Sequence, residues 1–433
     1  MTDVHDAQSD SNRRENGRTL PLLIAATLVI RIGVLSVMPD TFVADPDAYR
    51  AVAFNIAEHG CFGYDDHPIA TRPVLYPLIV AACKVVDPAL WYSLALVHLI
   101  LGVATVVLTY QLATRWGVGK WSWLAGALVA IDPLLLLHST LVMTETLAAF
   151  LAVAGVLALT RCAERPTIGG AALSGVLMAL AALCRPTFLV WMGPVLILLP
   201  LAAETWRVRA QVFAAGVLAA ALVLSPWAIR NGIQFGKPTP ATNHGGFTLL
   251  LANNPSFYEY LRSGQFGDVW DADQFNHDWG VRSRKLARGD EVAADRLAYA
   301  DAFAVIRSEP GTFAYACLVR VSRIWGLVPH RTSSDEGMAR CVVRWMIGAF
   351  YLLEFVFAAI GLVALACGRV SREQLLHGWI WGLLLLAAFT VIHTFYWTNI
   401  RMRAPLIPVV CAVAALGAAQ FASLRVRRNS FQG

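Results

Sequence analysis

Leu20-Pro-Leu-Leu-Ile-Ala-Ala-Thr-Leu-Val-Ile-Arg-Ile-Gly-Val-Leu-Ser-Val-Met38 is an apolar run of span length, and a few residues beyond it stands Ala44-Asp-Pro-Asp-Ala-Tyr49. A helix rises 1.5 Å per residue, so about 20 such residues cross a hydrocarbon core. Carboxylates at the edge of that run are costly to desolvate, which makes Asp45 and Asp47 the first site hypothesis. The next segment, Thr71-Arg-Pro-Val-Leu-Tyr-Pro77, precedes a return to apolar sequence.

The same reading extends to the whole chain. Of 433 residues 57% are hydrophobic and only 15% charged, where a soluble domain carries about 25% charged. The apolar residues come in blocks of roughly 17 to 25, and backbone in lipid must bond internally, so the blocks are helices. The net charge of +6 is topological and does not indicate a nucleic-acid partner. Arg13, Arg14 and Arg18, Arg115 with Lys120, Arg161 with Arg165, Arg207 with Arg209, Arg369 with Arg372, and Arg425, Arg427 and Arg428 fall on alternate connections, as cytoplasmic loops do. Eight scattered cysteines show no CxxC or Cys/His metal spacing and read as small buried hydrophobes.

These features predict an all-α polytopic membrane protein of about ten spans: 20–38, 90–113, 121–138, 141–160, 168–184, 187–203, 210–228, 342–367, 377–397 and 404–424. A disordered cytoplasmic tail, 1–19, precedes a helical region, 20–230. A periplasmic cap, 231–340, separates it from the C-terminal spans, 341–424, and a short cytoplasmic tail, 425–433. The first outer loop, 39–89, carries an amphipathic segment over Ala48–His59 and a second apolar piece, Val74–Val86, too short to span; both read as interfacial helices. In the cap, Asp290–Glu309 is amphipathic and Pro310-Gly311 ends it. Thr312–Val328, interrupted by Arg320 and Arg323, reads as an interfacial helix with snorkelling arginines. Asp65-Asp-His67 reads as a turn.

Chemistry should sit on the long outer loops. Asp45 or Asp47 could accept a proton from an attacking group, or hold a divalent cation. Glu145, at the outer start of an apolar helix, would join them, with His138 nearby as an anchor or ligand. Arg72, Arg185, Arg230, Arg401 and Arg403 map to the outer side, against the charge bias, and a guanidinium grips phosphate in bidentate fashion. Arg401 and Arg403, together before a span, stand out among them. No Walker A, GxGxxG or His-Glu-x-x-His pattern is present, which disfavours an ATP-driven pump or zinc protease.

Taken together, Asp45-Pro-Asp-Ala-Tyr49, Arg72-Pro-Val-Leu-Tyr-Pro77, Glu145, Arg185-Pro186, Pro226-Trp-Ala-Ile-Arg-Asn231, the Gly245-Gly246 to Asn254 segment and Arg401-Met-Arg-Ala-Pro-Leu-Ile-Pro408 resemble the landmarks of the GT-C membrane glycosyltransferases. The similarity is to the branch with protein mannosyltransferases and the lipid A aminoarabinose transferase. It implies a sugar donor on polyprenyl phosphate, a first-loop aspartate as acid-base residue, and chemistry on the periplasmic or luminal face. By distance from Tyr49, Asp45 matches that aspartate, but Pro46 stands where relatives often carry a second acid, so the choice between Asp45 and Asp47 stays open. Tyr49, Tyr76, His138 and Asn254 would line the substrate pocket.

The expected function is inverting transfer of a glycosyl unit from a polyprenyl-phosphate donor to a lipid, glycan or protein acceptor. The expected location is the bacterial inner membrane, multi-pass, with a cytoplasmic N-terminus. No cofactor is required; a divalent cation is permitted but not demanded. Partners are the lipid-linked donor, the acceptor and the bilayer, with no nucleic acid. The rivals are a secondary transporter or lipid flippase, which would show matched broken helices and midmembrane charge, and a noncatalytic envelope scaffold.

Overall fold

The computed structural model of the protein describes residues 2–264, 270–331 and 336–430. Nearly all of this is helix; the described strands are a two-residue antiparallel pair, Gly63–Tyr64 with His67–Pro68. That pair closes the Asp65-Asp66 turn, in which Asp65 takes a left-handed φ of 50°.

Seven helices among the described residues are long and apolar enough to cross a membrane: Thr19–Val37, Trp91–Arg115, Glu145–Glu164, Trp206–Phe235, Met338–Ala366, Arg372–Phe395 and Ile400–Leu424. The remaining three expected spans are present as shorter pieces. The 168–184 and 187–203 stretches form Ile168–Cys184 and Phe188–Ala202. The 121–138 stretch breaks into Ser122–Ile131 and Pro133–His138, because Pro133 cannot continue a helix and the Asp132 carboxylate caps the new one by accepting Leu135 N–H (2.8 Å). The first helix is continuous from Thr2, so the backbone of the expected disordered tail continues it.

Burial separates centre from rim. Glu145–Glu164 and Ile400–Leu424 are 83% and 72% buried along their apolar windows, whereas Thr19–Val37 and Trp206–Phe235 are each 22% buried and face outward. The two central helices therefore carry the residues at their starts, Thr144 just before the first and Arg401 in the first turn of the second, toward the interior. Met338–Ala366 packs on the last helix backbone to backbone: a Cβ on Gly417 would collide with the Phe357 carbonyl, and one on Gly361 with that of Val413. Only glycine lets two helices approach so closely.

The first loop forms the helices Tyr49–His59 and Leu75–Val86, at the positions read as interfacial. Among the described residues the regular elements of the cap are helices, Gly245–Ala252, Pro255–Ser263, Asp273–Ala287, Glu291–Ser308 and Pro310–Ile324. Asp290 starts the Glu291–Ser308 helix by accepting Val292 and Ala293 N–H (2.8 and 3.1 Å), and Pro310 begins the next. Two carboxylates on the Glu291–Ser308 helix fasten it, one to the first loop and one to another helix of the cap. Glu291 accepts Ala70 N–H of the first loop (2.8 Å), and Asp295 accepts Gly246 N–H (2.7 Å).

Arg320 corrects the interfacial reading of Thr312–Val328. It is buried, not snorkelling, and donates to Thr394 O and Ala252 O (2.7 Å each). Those carbonyls stand at helix ends, where no backbone donor remains for them, so the guanidinium takes the place of solvent. It thereby ties the cap to the end of the Arg372–Phe395 helix.

Candidate active site

The Asp-Pro-Asp-Ala turn is a switch in direction. Ala48 has a left-handed backbone (φ 59°, ψ 23°), a strained conformation for a residue with a Cβ. It folds Asp45 back over the start of the Tyr49–His59 helix, where its carboxylate accepts the N–H groups of Arg50 (3.0 Å) and Ala51 (2.8 Å). Asp45 thus satisfies orphan donors at a helix N-terminus, where negative charge is also favoured.

Asp47 goes the other way. It lines a cavity of about 810 Å³. Its carboxylate meets Arg401 through both terminal nitrogens, Nη1 to Oδ2 at 2.9 Å and Nη2 to Oδ1 at 3.4 Å. The two residues are 354 apart in sequence.

Behind this pair lies Glu145, first residue of its helix and fully buried. Arg185 Nη2 is 2.6 Å from Glu145 Oε1, Arg401 Nε is 3.9 Å from the same oxygen, and His138 Nε2 is 4.0 Å away. Arg185 Nε donates to Thr144 Oγ1 (2.8 Å). Asp47, Arg401, Glu145 and Arg185 form one chain of alternating charge, and three of the four line the cavity. A buried carboxylate needs such company to stay ionised.

Arg72 supplies a third guanidinium to the cavity wall and forms no ion pair among the described residues. Its Nη1 lies 3.4 Å from His244 Nε2, and its Nε is buried without a hydrogen-bond partner. Burial, and then the Arg72 charge, push His244 down to about 3, so the ring is neutral at physiological pH and accepts from Arg72. Tyr49, also in the wall, is held protonated by burial and then by the Asp47 charge.

Other residues named from the sequence sit elsewhere. Arg403 corrects the reading of the Arg401/Arg403 pair: it is buried away from the cavity, stacked 4.1 Å over the Tyr351 ring, and donates to Gly326 O (2.9 Å) and Ile324 O (3.3 Å). Arg401 and Arg403 lie in one 3-10 segment, Ile400–Leu406, where residues two apart point about 120° from each other. Arg230 donates to Ile69 O (2.7 Å) and Phe62 O (3.1 Å) and stacks 4.8 Å over Trp227, fastening the first loop to the end of the Trp206–Phe235 helix. Tyr76 lies under the site, packed edge-on to Tyr49, and donates to His98 Nε2 (3.1 Å), whose Nδ1 donates to Ser139 O (2.8 Å). Asn254 caps the Pro255–Ser263 helix through Phe257 N–H (2.8 Å), and it borders a separate cap groove. His138 is buried, its Nδ1 donating to Leu134 O (2.9 Å).

The cavity also takes residues with no sequence signal of their own. His393 comes from the end of an apolar helix, and Trp279, Tyr299 and Phe247 come from the cap. Its apolar wall includes Leu189, Val190 and Ile392. Among the described residues no three His, Cys, Asp or Glu side chains come together to hold a metal. Each carboxylate of the charge chain is already matched by a guanidinium, so the donor set does not fit a cation as it stands.

No protein-family model matches the sequence, and no curated protein matches it. Solved structures do. The archaeal oligosaccharyltransferase AglB from Archaeoglobus fulgidus, in complex with an inhibitory peptide and a dolichol-phosphate, aligns with a TM-score of 0.52 and 14% identity over 96% of this chain and 52% of that one. The apo form of the Archaeoglobus fulgidus oligosaccharyltransferase gives 0.53 and 14%, over 95% and 51%. The chain therefore spans about half the length of these structures. ArnT from Cupriavidus metallidurans, bound to undecaprenyl phosphate, aligns with a TM-score of 0.44 and 14% identity over 92% and 76%. At such identity the likeness establishes architecture alone: this chain has the fold of the membrane part shared with the Archaeoglobus fulgidus oligosaccharyltransferase structures.

Proposed function

We propose that this protein is an inverting glycosyltransferase that moves a sugar from a polyprenyl-phosphate donor to an acceptor at the non-cytoplasmic membrane face. The observation that carries the reading is the placement of Asp47: one carboxylate on the wall of a cavity of about 810 Å³ whose other charged lining groups are the guanidiniums of Arg72, Arg185 and Arg401. Asp47 takes the proton of the acceptor hydroxyl as its oxygen attacks the anomeric carbon. The carbon–oxygen bond to phosphate breaks, and the bonding pair leaves with the lipid phosphate. Arg401, Arg185 and Arg72 stabilise that growing charge, a preorganised electrostatic role that costs no reorganisation during reaction. Attack from the face opposite the phosphate inverts the anomeric centre. No step is routed through a metal.

Helix direction supports the sidedness. Glu145–Glu164 starts at the cavity and ends by Arg161; Ile168–Cys184 begins after Arg165 and ends at Arg185; Arg372–Phe395 starts with Arg372 and ends beside His393. The basic loops thus lie at the end away from the site, the cytoplasmic end by the positive-inside bias. The bacterial inner membrane is the location this implies. The apolar wall by Ile392 suits a prenyl chain, and AglB and ArnT structures hold dolichol-phosphate and undecaprenyl phosphate.

The test is transfer by purified wild-type protein from a panel of polyprenyl-phosphate sugars to lipid, glycan and peptide acceptors. Product with inverted anomeric configuration is expected. Movement of a lipid-linked sugar across vesicles without any transfer would overturn the reading in favour of a flippase.

A further inference from the structure

The cavity has a neighbour in the cap. A groove of about 630 Å³ opens among four of the cap helices, and Trp279 stands in the wall of both. Phe247 on the cavity side, Trp279 on the boundary and Phe275 in the groove make one aromatic layer. The Phe247 ring centroid is 6.3 Å from that of Trp279 and 6.4 Å from that of Phe275. The groove has the ordinary size of a small-molecule site, about 300–1,000 Å³.

Helical spacing sets rings and polar groups side by side. On the Asp273–Ala287 helix, Phe275 and Trp279 form one row at i and i+4, and Gln274, Asp278 and Arg282 form the adjacent row, all lining the groove. The charged lining groups are Asp271, Asp278, Asp301 and Arg282. Arg282 is spent on Asp301 in a forked pair, Nε to Oδ2 at 3.1 Å and Nη2 to Oδ1 at 3.0 Å. Asp271 and Asp278 form no ion pair among the described residues, and an ionised carboxylate only accepts hydrogen bonds. The groove therefore calls for donors beside an aromatic surface, and its net negative charge disfavours a phosphate or any other anion. A neutral sugar ring matches both features: its C–H face covers an aromatic ring while the hydroxyls around its edge donate to carboxylate and amide oxygens.

We infer that this groove is the acceptor subsite and that the acceptor is a neutral glycan, with a sugar ring stacked on Phe275 and Trp279 and its hydroxyls donating to Asp278. This rests on the glycosyl-transfer reading and deepens it by naming the acceptor class. The position suits the role. Apolar helices supply the Leu189, Val190 and Ile392 wall, where the lipid of the donor belongs, whereas Phe247 and Trp279 come from the cap. A glycan lying in the groove reaches past Trp279 into the cavity that holds Asp47.

The test reads binding without turnover. Purified full-length protein is titrated by calorimetry with mannotriose, maltotriose and cellotriose as neutral probes, trigalacturonate as an anionic probe and trilysine as a basic peptide. A neutral trisaccharide is expected to bind on the order of tenfold or more tighter than trigalacturonate. Ala304→Trp, at an exposed position in the groove wall, should weaken that binding by on the order of tenfold by filling the space. Asp278→Lys, also at an exposed position, should shift the preference toward trigalacturonate, a ratio that partial loss of folded protein does not move. Trisaccharide binding unchanged in both variants places the sugar elsewhere and overturns the inference. Tighter binding of trilysine than of every neutral glycan makes the groove a basic-peptide site and overturns it too, as does the absence of any trisaccharide binding. Each of these results leaves the transfer reading standing, because that reading fails only when wild type transfers from no donor of its panel.

Discussion

Replacing Asp45 and Asp47 one at a time by asparagine separates a fold role from a chemical one within three residues. Asp45 accepts two backbone N–H groups at the start of the Tyr49–His59 helix, Arg50 at 3.0 Å and Ala51 at 2.8 Å. Loss of an N-terminal cap typically costs about 1 kcal/mol, and asparagine retains one acceptor oxygen, so Asp45→Asn should cost roughly 0.5–1 kcal/mol. Turnover should stay within about fivefold of wild type, since an ordinary surface cap contributes nothing to a transition state. Asp47 and Arg401 are each about a quarter exposed, so their ion pair contributes about 1 kcal/mol or less to stability. Removing a general base, in contrast, costs about 10²- to 10⁴-fold in rate. Asp47→Asn should therefore unfold within a few degrees of wild type and yet lose nearly all turnover. The assay is initial-rate transfer from the donor that wild type uses, with thermal unfolding measured in the same detergent. Full turnover by Asp47→Asn refutes the assignment. So does an Asp45→Asn enzyme that loses as much rate as Asp47→Asn while its unfolding midpoint is unchanged.

Glu145→Gln should be among the most destabilising single changes, about 3–5 kcal/mol, because it leaves Arg185 buried without its counter-charge; a denaturation midpoint close to wild type would contradict the charge chain. Arg401→Gln and Arg403→Gln should part company despite standing two residues apart. The first should reduce kcat about 10²- to 10³-fold, the roughly 2.7–4 kcal/mol of an oxyanion donor, and the second should leave donor KM alone while costing about 2 kcal/mol of stability from the Tyr351 stack and two carbonyl bonds. Ala48→Gly should relieve a left-handed Ala and stabilise by about 1 kcal/mol or less, whereas Ala48→Val should destabilise; calorimetry on both reads the sign. His244 gives a pH dependence. Its folded pKa, about 3, lies below the unfolded value near 6.5, so the unfolded chain binds the extra proton between those limits and stability falls as pH drops through that window. An acid limb starting near pH 6.5 should weaken in His244→Gln, and an unaltered limb would refute the assignment.

Much of the architecture is present in one dimension. Apolar runs such as Leu20–Met38 and the 141–160 block have the length of a bilayer crossing, and lipid leaves their backbones no alternative to helix. The arginines on alternate loops favour one orientation by a count that needs no coordinates. Proline positions mark boundaries for the same local reason, as Pro310 does in the cap. The break at Asp132 was less visible, because a single cap within an apolar stretch looks like a tolerated polar residue until its carboxylate is seen on Leu135 N–H.

The site divides differently. Composition and position brought Asp45, Asp47, Glu145, Arg72, Arg185 and Arg401 to notice, since charge near a bilayer is rare. Which of two aspartates faces the cavity depends on a left-handed residue at Ala48, and which of two arginines does depends on rotation around a 3-10 turn. His393 was silent because a histidine in an apolar run has no local mark of its partners. Sequence spacing fixes how far apart residues are along a helix. Only the packing of distant segments, Asp47 against Arg401 across 354 residues, decides which faces meet and therefore which charges are shared.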